Sequence, residues 1–458
     1  MVTYQDLLEV GEDEKERIDF VRRTIANHKG SKEYKIAEIA DEYARHQNRT
    51  INQYRKLLYT VSGVAVPDNW SANYKIASNF FHRLIVQLNQ FELGNGASWT
   101  KEDTAEKLGE DFDSKLQEAG MKAMIGARSF GFFNLDHLEV FSILEFAPLQ
   151  DEENGALMAG IRFWQIDNNK PLRATLYEVD GYTDFIWNIK KDEDGRVLHE
   201  KRPYKVNFKY TDADGVEIYD GENYPTFPIV PFYANNNKQS EIIGIQEQID
   251  AYDLIKSGFA NDLDDVSQIY WTVSNAGGMD DIDLAQFVQR MKTVKAAAVQ
   301  DGEQVQAHSI SIPYDARETL LDRLRRDIYR DFMGLDTEGI ASGAITATQI
   351  KAAYEPLNSK ADEYEYCLIN FIKGILNIAG IDDEPSFTRS YIVNQGEEIT
   401  NLIQSAEYLD KEYVTKKILE LYGDGDKAEE MLEKMASEEV DRGFLNRKEE
   451  TEENEGEE

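Results

Sequence analysis

Between Asp315 and Gly380 two apolar helix stripes are joined by a loop with little to bury, and few folds accommodate that order. Leu320, Leu324, Ile328 and Phe332 recur every four residues, with Leu321 and Met333 widening the stripe, which is the spacing of one apolar helix face. Gly334 is the expected stop. The segment from Gly334 to Ala344 contains Gly334, Gly339 and Gly343 and is expected to project as a loop. Thr346 with Gln349 fits a capping box, and Ile350, Tyr354, Leu357, Ala361, Tyr364, Leu368, Ile372, Ile375 and Leu376 carry a second stripe as far as Gly380. Pro356 falls inside it. Proline removes a helix hydrogen bond and clashes with the preceding turn, so the spacing predicts a bend near residues 354–356 in a rod about 50 Å long.

Upstream, the hydrophobic period changes twice. Residues 1–62 carry charge-rich helical patterns, Glu12 to His28 and Ser31 to Gln47, read as a mostly solvated helical arm. A denser amphipathic helix is expected from Ala72 to near Gly94, and another from Thr104 to Arg128. Over 135–235 the period becomes that of strands: Glu139 to Ala147, Met158 to Ile166, Ala174 to Val179, Thr183 to Lys190, Tyr204 to Tyr210 and Val216 to Tyr219, with Asn-Gly and Asp-Gly turn signals between them. Helical spacing returns through Ile242, Ile245, Ile249, Tyr252, Ile255, Phe259, Leu263 and Val266, with Ser240 as a cap. A small α/β insert is expected before the opening helix: strand Ile269 to Val273, helix Leu284 to Met291, and strands Val294 to Val299 and Val305 to Ile312. Beyond Gly380, helices are expected at Glu397 to Leu409, Lys411 to Leu421 and Asp426 to Arg442, ahead of an acidic tail. The fold class is α+β, predominantly helical.

The chain has 86 acidic and 50 basic residues, a formal charge of −36, which argues against a protein that holds duplex DNA by phosphate neutralisation. Cys367 is the only cysteine, so no intrachain disulfide is possible and a reducing compartment is expected. A leader or an apolar run long enough to span a membrane is not expected either. Gly-Lys does not occur, which removes the phosphate-binding P-loop, and no two of the six histidines stand at i, i+4. The Asp262-Leu263-Asp264-Asp265 run and the group Asp280, Asp281 and Asp283 lack the glycine-spaced calcium loop. No catalytic, cofactor-binding or metal-ligating residue is nominated. Arg317, Arg323, Arg325, Arg326 and Arg330 invite a phosphate-gripping reading, but Asp315, Glu318, Asp322, Asp327 and Asp331 interleave with them. That mixture favours helix support or subunit pairing, carried by Arg317, Arg323, Arg326, Arg330, Asp322 and Asp327.

The order of these elements, and several local strings, resemble the portal proteins of tailed double-stranded DNA bacteriophages, in the SPP1-type branch. The strongest string is Pro228 to Asp265, with Pro-Ile-Val-Pro-Phe-Tyr, Asn235-Asn236-Asn237, Ile249-Asp250-Ala251-Tyr252-Asp253, Ser257 and Ala260-Asn261-Asp262-Leu263. Ala341-Ser342-Gly343-Ala344 leading into Ile350 and Tyr354 is similar to the family's loop-to-long-helix junction. Weaker echoes are Tyr74-Lys75-Ile76 with Asn79-Phe80-Phe81, and Leu144 to Leu149 with Gly160-Ile161-Arg162. The resemblance implies a portal fold of wing, stem, clip and crown, assembling into a ring of usually twelve copies with a central channel for DNA. On that mapping 1–235 is wing, 236–266 the first stem helix, 267–312 the clip, and 313–333 the second stem helix. Residues 334–346 become the tunnel loop, 347–380 the long wing helix, and 381–458 the crown and acidic tail. The implied DNA-facing residues are Asp336, Thr337, Glu338, Ile340 and Ser342, and the implied clip contacts are Tyr270, Trp271, Phe287 and Arg290. Implied partners are non-specific double-stranded DNA, terminase, a head-completion or adaptor protein, and the major capsid and scaffolding proteins. No cofactor and no membrane are implied. Another head–tail connector ring, or an acidic intracellular hydrolase, remain the alternatives.

Overall fold

In the computed structural model the described residues are 2–11, 13–59, 63–68, 72–188, 192–211, 217–266, 270–274, 304–308, 314–338, 347–390, 402–406, 408–422, 431–432 and 434. The chain forms two units, 1–336 with 356–389, and 337–355 with 390–458.

The first unit is α+β. α1 (Tyr4–Val10) opens on a capping box between Thr3 and Asp6, α2 (Glu14–Gly30) on Asp13, and α3 (Lys32–Ala44) on Ser31. A short α4 (Arg49–Gln53) and a ribbon of β1 (Leu57–Tyr59) with β2 (Ala65–Pro67) follow. Next come α5 (Phe80–Leu93), β3 (Ala97–Ser98), α6 (Thr104–Leu108) and α7 (Phe112–Gly126). Ten strands then run in sequence: β4 (Arg128–Asn134), β5 (His137–Ser142), β6 (Phe146–Gln150), β7 (Leu157–Trp164), β8 (Leu172–Glu178), β9 (Gly181–Asn188), β10 (Asp192–Arg202), β11 (Lys205–Thr211), β12 (Glu217–Glu222) and β13 (Ile229–Tyr233). They make an antiparallel five-stranded sheet in the order β10-β9-β8-β7-β6, a three-stranded sheet β13-β4-β5, and a separate ribbon β11-β12.

Strand alternation places the core. In β9, Thr183, Phe185 and Trp187 are buried while Tyr182, Asp184 and Ile186 are more open. Ile18, Phe20, Val21 and Ile25 of α2 close that face together with Leu149, Ile161, Phe163 and Leu176. The N-terminal helices are therefore not a mostly solvated arm. Their apolar stripe is narrow enough to be hidden by the surrounding charge in the sequence, yet it covers a sheet. The three-stranded sheet packs on α7 and on the long helix Ala347–Ala379, where Phe232 stacks on Phe371 with ring centroids 5.0 Å apart. At the α7 crossing an added Cβ on Gly120 would stand 2.0 Å from Tyr364 Oη, so glycine is the only side chain that fits. Tyr364 is buried there and donates to Asn89 Oδ1 of α5 at 2.9 Å.

Four expectations need correction. The strand read over Glu139 to Ala147 is two strands, because Ser142 N donates to Glu145 Oε1 (2.8 Å) and Glu145 N to Ser142 O (3.1 Å), closing a turn between them. The helix read over Thr104 to Arg128 breaks at Gly109, whose φ of +92° no helix admits, and Arg128 already belongs to β4. Residues 72–79 are not helical; their amides are satisfied by side chains of another helix, described below. Finally, β4, β10, β13 and the small pair β3 with β16 (Ser386–Phe387) went unread. The expected elements at 284–291 and 294–299 lie outside the described residues; of the helix expected at 397–409 the described residues are helical over 402–405, and of that at 426–442 only 431–432 and 434 are described, in helical conformation.

In the second unit, the described residues include the first turns of the long helix and the helix Lys411–Tyr422. Val414 is buried there.

Candidate functional site

Two helices and their attachments form the feature on which the sequence reading converges. α8 (Gln246–Val266) and the arginine-rich helix Tyr314–Phe332 run antiparallel. Gln248 Nε2 reaches Asp331 Oδ2 at 2.5 Å, Phe259 meets Tyr314 edge-on at 5.6 Å, and Arg317 Nη1 lies 2.5 Å from Asp262 Oδ2. Between them in sequence stand β14 (Tyr270–Ser274) and β15 (Gln304–His308), paired with Tyr270 opposite His308 and Trp271 opposite Ala307. α8 starts later than the apolar spacing implies, since 241–245 are turns that bury Ile242 and Ile245.

A polar strap holds α8 to the rest of the unit. Tyr74 N donates to Asn261 Oδ1 at 2.6 Å, Ile76 N to Ser257 Oγ at 2.9 Å, and Ser78 N to Asp253 Oδ1 at 2.9 Å. Every second residue of an extended segment thus meets every fourth residue of a helix. Two extended residues advance about 6.6 Å and four helical residues about 6 Å, so the two rows stay in step over three bonds. Asp253 is fully buried; it also accepts from Asn48 Nδ2, which donates in turn to Ser78 O at 3.0 Å. Burial pushes the Asp253 carboxyl above its ordinary range, and these hydrogen bonds oppose the rise. Phe80, the first residue of α5, sits edge-on to Tyr252 at 4.9 Å and to Tyr329 at 6.1 Å, so one ring touches both helices.

The helix Tyr314–Phe332 ends differently from the sequence expectation. Met333, with φ +66°, takes the left-handed position; its N–H donates to Arg330 O (3.0 Å) and Gly334 N to Tyr329 O (2.8 Å), the pattern of a Schellman cap. Gly334 is needed for space instead, because an added Cβ would lie 2.5 Å from Leu84 Cδ2. Leu335 is buried and locked to α5 by a reciprocal pair, Gln87 Nε2 to Leu335 O (2.9 Å) and Leu335 N to Gln87 Oε1 (2.8 Å). The loop therefore leaves from a fixed base. Asp336 stands 3.9 Å from Arg325, and Thr337 and Glu338 are exposed. Ile340 and Ser342 lie outside the described residues.

The interleaved charges are partly spent within the chain. Asp327 receives Arg330 at 2.9 Å and Arg323 at 3.8 Å, and Arg326 Nε donates to Asp322 O at 3.3 Å. Arg323 and Arg330 keep 77% and 70% of their side chains in solvent, so each such pair contributes about 0–1 kcal/mol. From the chain beyond the long helix, Arg389 joins Glu92 of α5 (2.8 Å) and, on the middle of the long helix, Asp362 (2.7 Å) and Glu365 (2.5 Å). Burial drives Glu92 up to about 7 against the pull of Arg389, with Glu365 adding to the rise. Asp383 accepts from Thr104 Oγ1 (2.6 Å) and from the amides of Thr100 and Lys101, tying the chain after the long helix to α6.

Among the described residues no group of His, Cys, Asp or Glu is arranged to hold a metal ion. A cavity of about 320 Å³ is lined by Asp41, Arg45, Lys122, Ser142 and Glu145, where Lys122 is already paired to Glu118 and Glu145. The backbone of Tyr270 and Trp271 lies in β14, whereas Phe287 and Arg290 lie outside the described residues. The strap was the part that sequence reading missed. Its signal was present as Asp253, Ser257 and Asn261, polar residues at four-residue spacing beside the apolar stripe of α8.

A family model described as phage portal protein, SPP1 Gp6-like, matches residues 12–442. The portal protein of Clostridium phage phiCD119 is 30% identical over 194 residues, which span 41% of this chain and 42% of that protein. The portal protein of Bacillus phage SPP1 is 22% identical over 400 residues, 77% of this chain and 74% of that one. Among solved structures, the neck of an empty gene transfer agent particle computed with C6 symmetry is similar with a TM-score of 0.44 at 12% identity, over 75% of this chain and 90% of that one. The neck of the native particle computed with C12 symmetry gives 0.43 at 11% identity, over 74% and 89%.

Proposed function

The chain belongs to the SPP1 Gp6-like family of phage portal proteins, and on that premise we propose that it assembles, as about twelve copies, into the ring at one capsid vertex through which DNA enters during packaging and leaves at infection. The observation that carries this reading is the antiparallel pair of α8 and helix Tyr314–Phe332 with its base fixed and its far end uncovered. Ile328 and Phe332 are buried inside the chain, while Leu263, Tyr314 and Leu320, farther along the pair, remain exposed. An apolar stripe that outruns its own cover suits packing between neighbouring copies, with Arg323, Arg326, Arg330, Asp322 and Asp327 as flanking pairs.

In this assignment 1–235 serves as wing, 236–266 and 313–333 as stem, 267–312 as clip, 334–346 as tunnel loop, 347–380 as the long wing helix, and 381–458 as crown. Tyr270, Trp271, Phe287 and Arg290 face a terminase or a head-completion protein, and the wing meets the capsid or scaffolding protein. The ring forms in the host cytoplasm and stays at the portal vertex of the virion. It performs no catalysis of its own; ATP hydrolysis falls to the terminase. The charge of −36 suits a conduit, because each phosphate neutralised by the wall would add a favourable binding term and slow the cargo. Asp336, Thr337, Glu338, Ile340 and Ser342 give weak polar and steric contact from a loop without lysine or arginine.

The loop assignment is tested by the double change Asp336→Lys with Glu338→Lys in a DNA-packaging assay. Packaging is expected to slow, most at low salt, since the added cations bind phosphate. A rate equal to that of the unchanged ring at every salt concentration would show that the loop does not face the DNA.

A further inference from the structure

Near the end of α5 the side chain of Glu92 is completely buried, and the cation beside it is shared. Arg389 gives its Nε to Glu92 Oε2 (2.8 Å) and its Nη2 to Glu365 Oε2 (2.5 Å), while its Nη1 lies 2.7 Å from Asp362 Oδ1. One guanidinium thus faces three carboxyl groups. Nε and Nη2 stand side by side on one edge of the planar fork, so the carboxyl groups of Glu92 and Glu365 are held next to one another. Glu92 Oε1 is also buried, and among the described residues no donor reaches it. An oxygen so placed, beside a second carboxyl group, is stabilised by a proton of its own. Its neighbours do not supply one. Tyr364, buried on the long helix, gives its proton to Asn89 Oδ1 at 2.9 Å. α7 meets this end of α5 through Gln117 and Gly120, which carry no charge.

We propose that Glu92 and Glu365 share one proton taken up from water, forming an O–H···O bond that fastens α5 to the long helix and breaks when the proton leaves. All the groups belong to this one chain, so the bond does not depend on assembly. With the proton in place, Glu92 Oε1 donates to Glu365, and Arg389 still serves both groups through Nε and Nη2. Without it, two like charges face each other across one guanidinium, and Asp362 brings a third. Burial raises Glu92 from its ordinary 4.5 to about 7; Arg389 opposes the rise and Glu365 adds to it. A carboxyl raised in the folded state contributes stability that is complete below its unfolded value and lost as pH rises through its folded one. α5 and the long helix are therefore held most firmly in mild acid and less so in mild alkali.

Infrared difference spectra of the full chain test the bond directly, because the carbonyl stretch of a protonated carboxyl stands apart from that of a carboxylate. A protonated-carboxyl band is expected to fall about tenfold between about pH 6 and about pH 8, and that step is expected to be missing from both Glu92→Gln and Glu365→Gln. In parallel, the unfolding constant of the unaltered chain relative to that of Glu92→Gln is expected to rise about tenfold over the same interval. No such band in the unaltered chain, or the same step kept in both variants, would overturn the shared proton. A step lost only in Glu92→Gln overturns it too, since Glu92 is then protonated alone. Should Glu92→Gln fail to fold, Glu365→Gln, at a side chain 31% exposed, carries the comparison.

Discussion

Asp253 is the residue on which the attachment of α8 most depends. Its carboxylate serves the Ser78 backbone amide and the Asn48 side-chain amide, so truncation leaves two buried donors unmet. Asp253→Ala is expected to cost about 3 kcal/mol, read as a fall in the thermal or denaturant midpoint of the purified chain. Asp253→Asn, which keeps one acceptor, should lose less, and equal losses would mean that only the volume of the side chain matters. The types and spacing of Asp253, Ser257 and Asn261 were legible in the sequence, but their role was not. Their partners are backbone amides some 180 residues away in the chain, and a backbone amide leaves no mark on residue type. Met333 illustrates the same limit: a glycine follows it, and only the geometry shows that methionine takes the left-handed turn while Gly334 makes room for Leu84.

The long helix was the most legible element, and its observed bounds, Ala347–Ala379, agree with the spacing. A stripe sustained over about seven turns and bounded by a capping pair and a glycine leaves little freedom. Short strands fared worse, because β4 and β13, of seven and five residues, carry few repeats of their period; only Arg128 of β4 was read into a helix, and the longer β10 was missed as well. The helices α2 and α3 were placed correctly but assigned to solvent, since Ile18, Val21 and Ile25 make a thin stripe among charges. Pro356 stands inside the long helix, where it withholds a donor from Ala352 O. We propose that it gives the helix the compliance needed to move the loop that precedes it. Pro356→Ala is expected to raise the melting temperature and to lower the DNA-packaging rate. Packaging at the unchanged rate would remove the case for that compliance.

For the whole molecule, family membership and the composition point the same way. The acidic balance and the missing Gly-Lys were readable at once, and they argued against tight phosphate gripping and against a P-loop. The exposed apolar residues at the far end of the α8 pair, Leu263, Tyr314 and Leu320, are the part of the proposed ring that only an assembly would cover. The central claim is that this chain functions as a closed ring, and the mass of the purified protein in solution tests it most directly. Light scattering or native mass spectrometry should give about twelve times 52.4 kDa, with eleven or thirteen copies equally compatible; a monomer or dimer at micromolar concentration would contradict it.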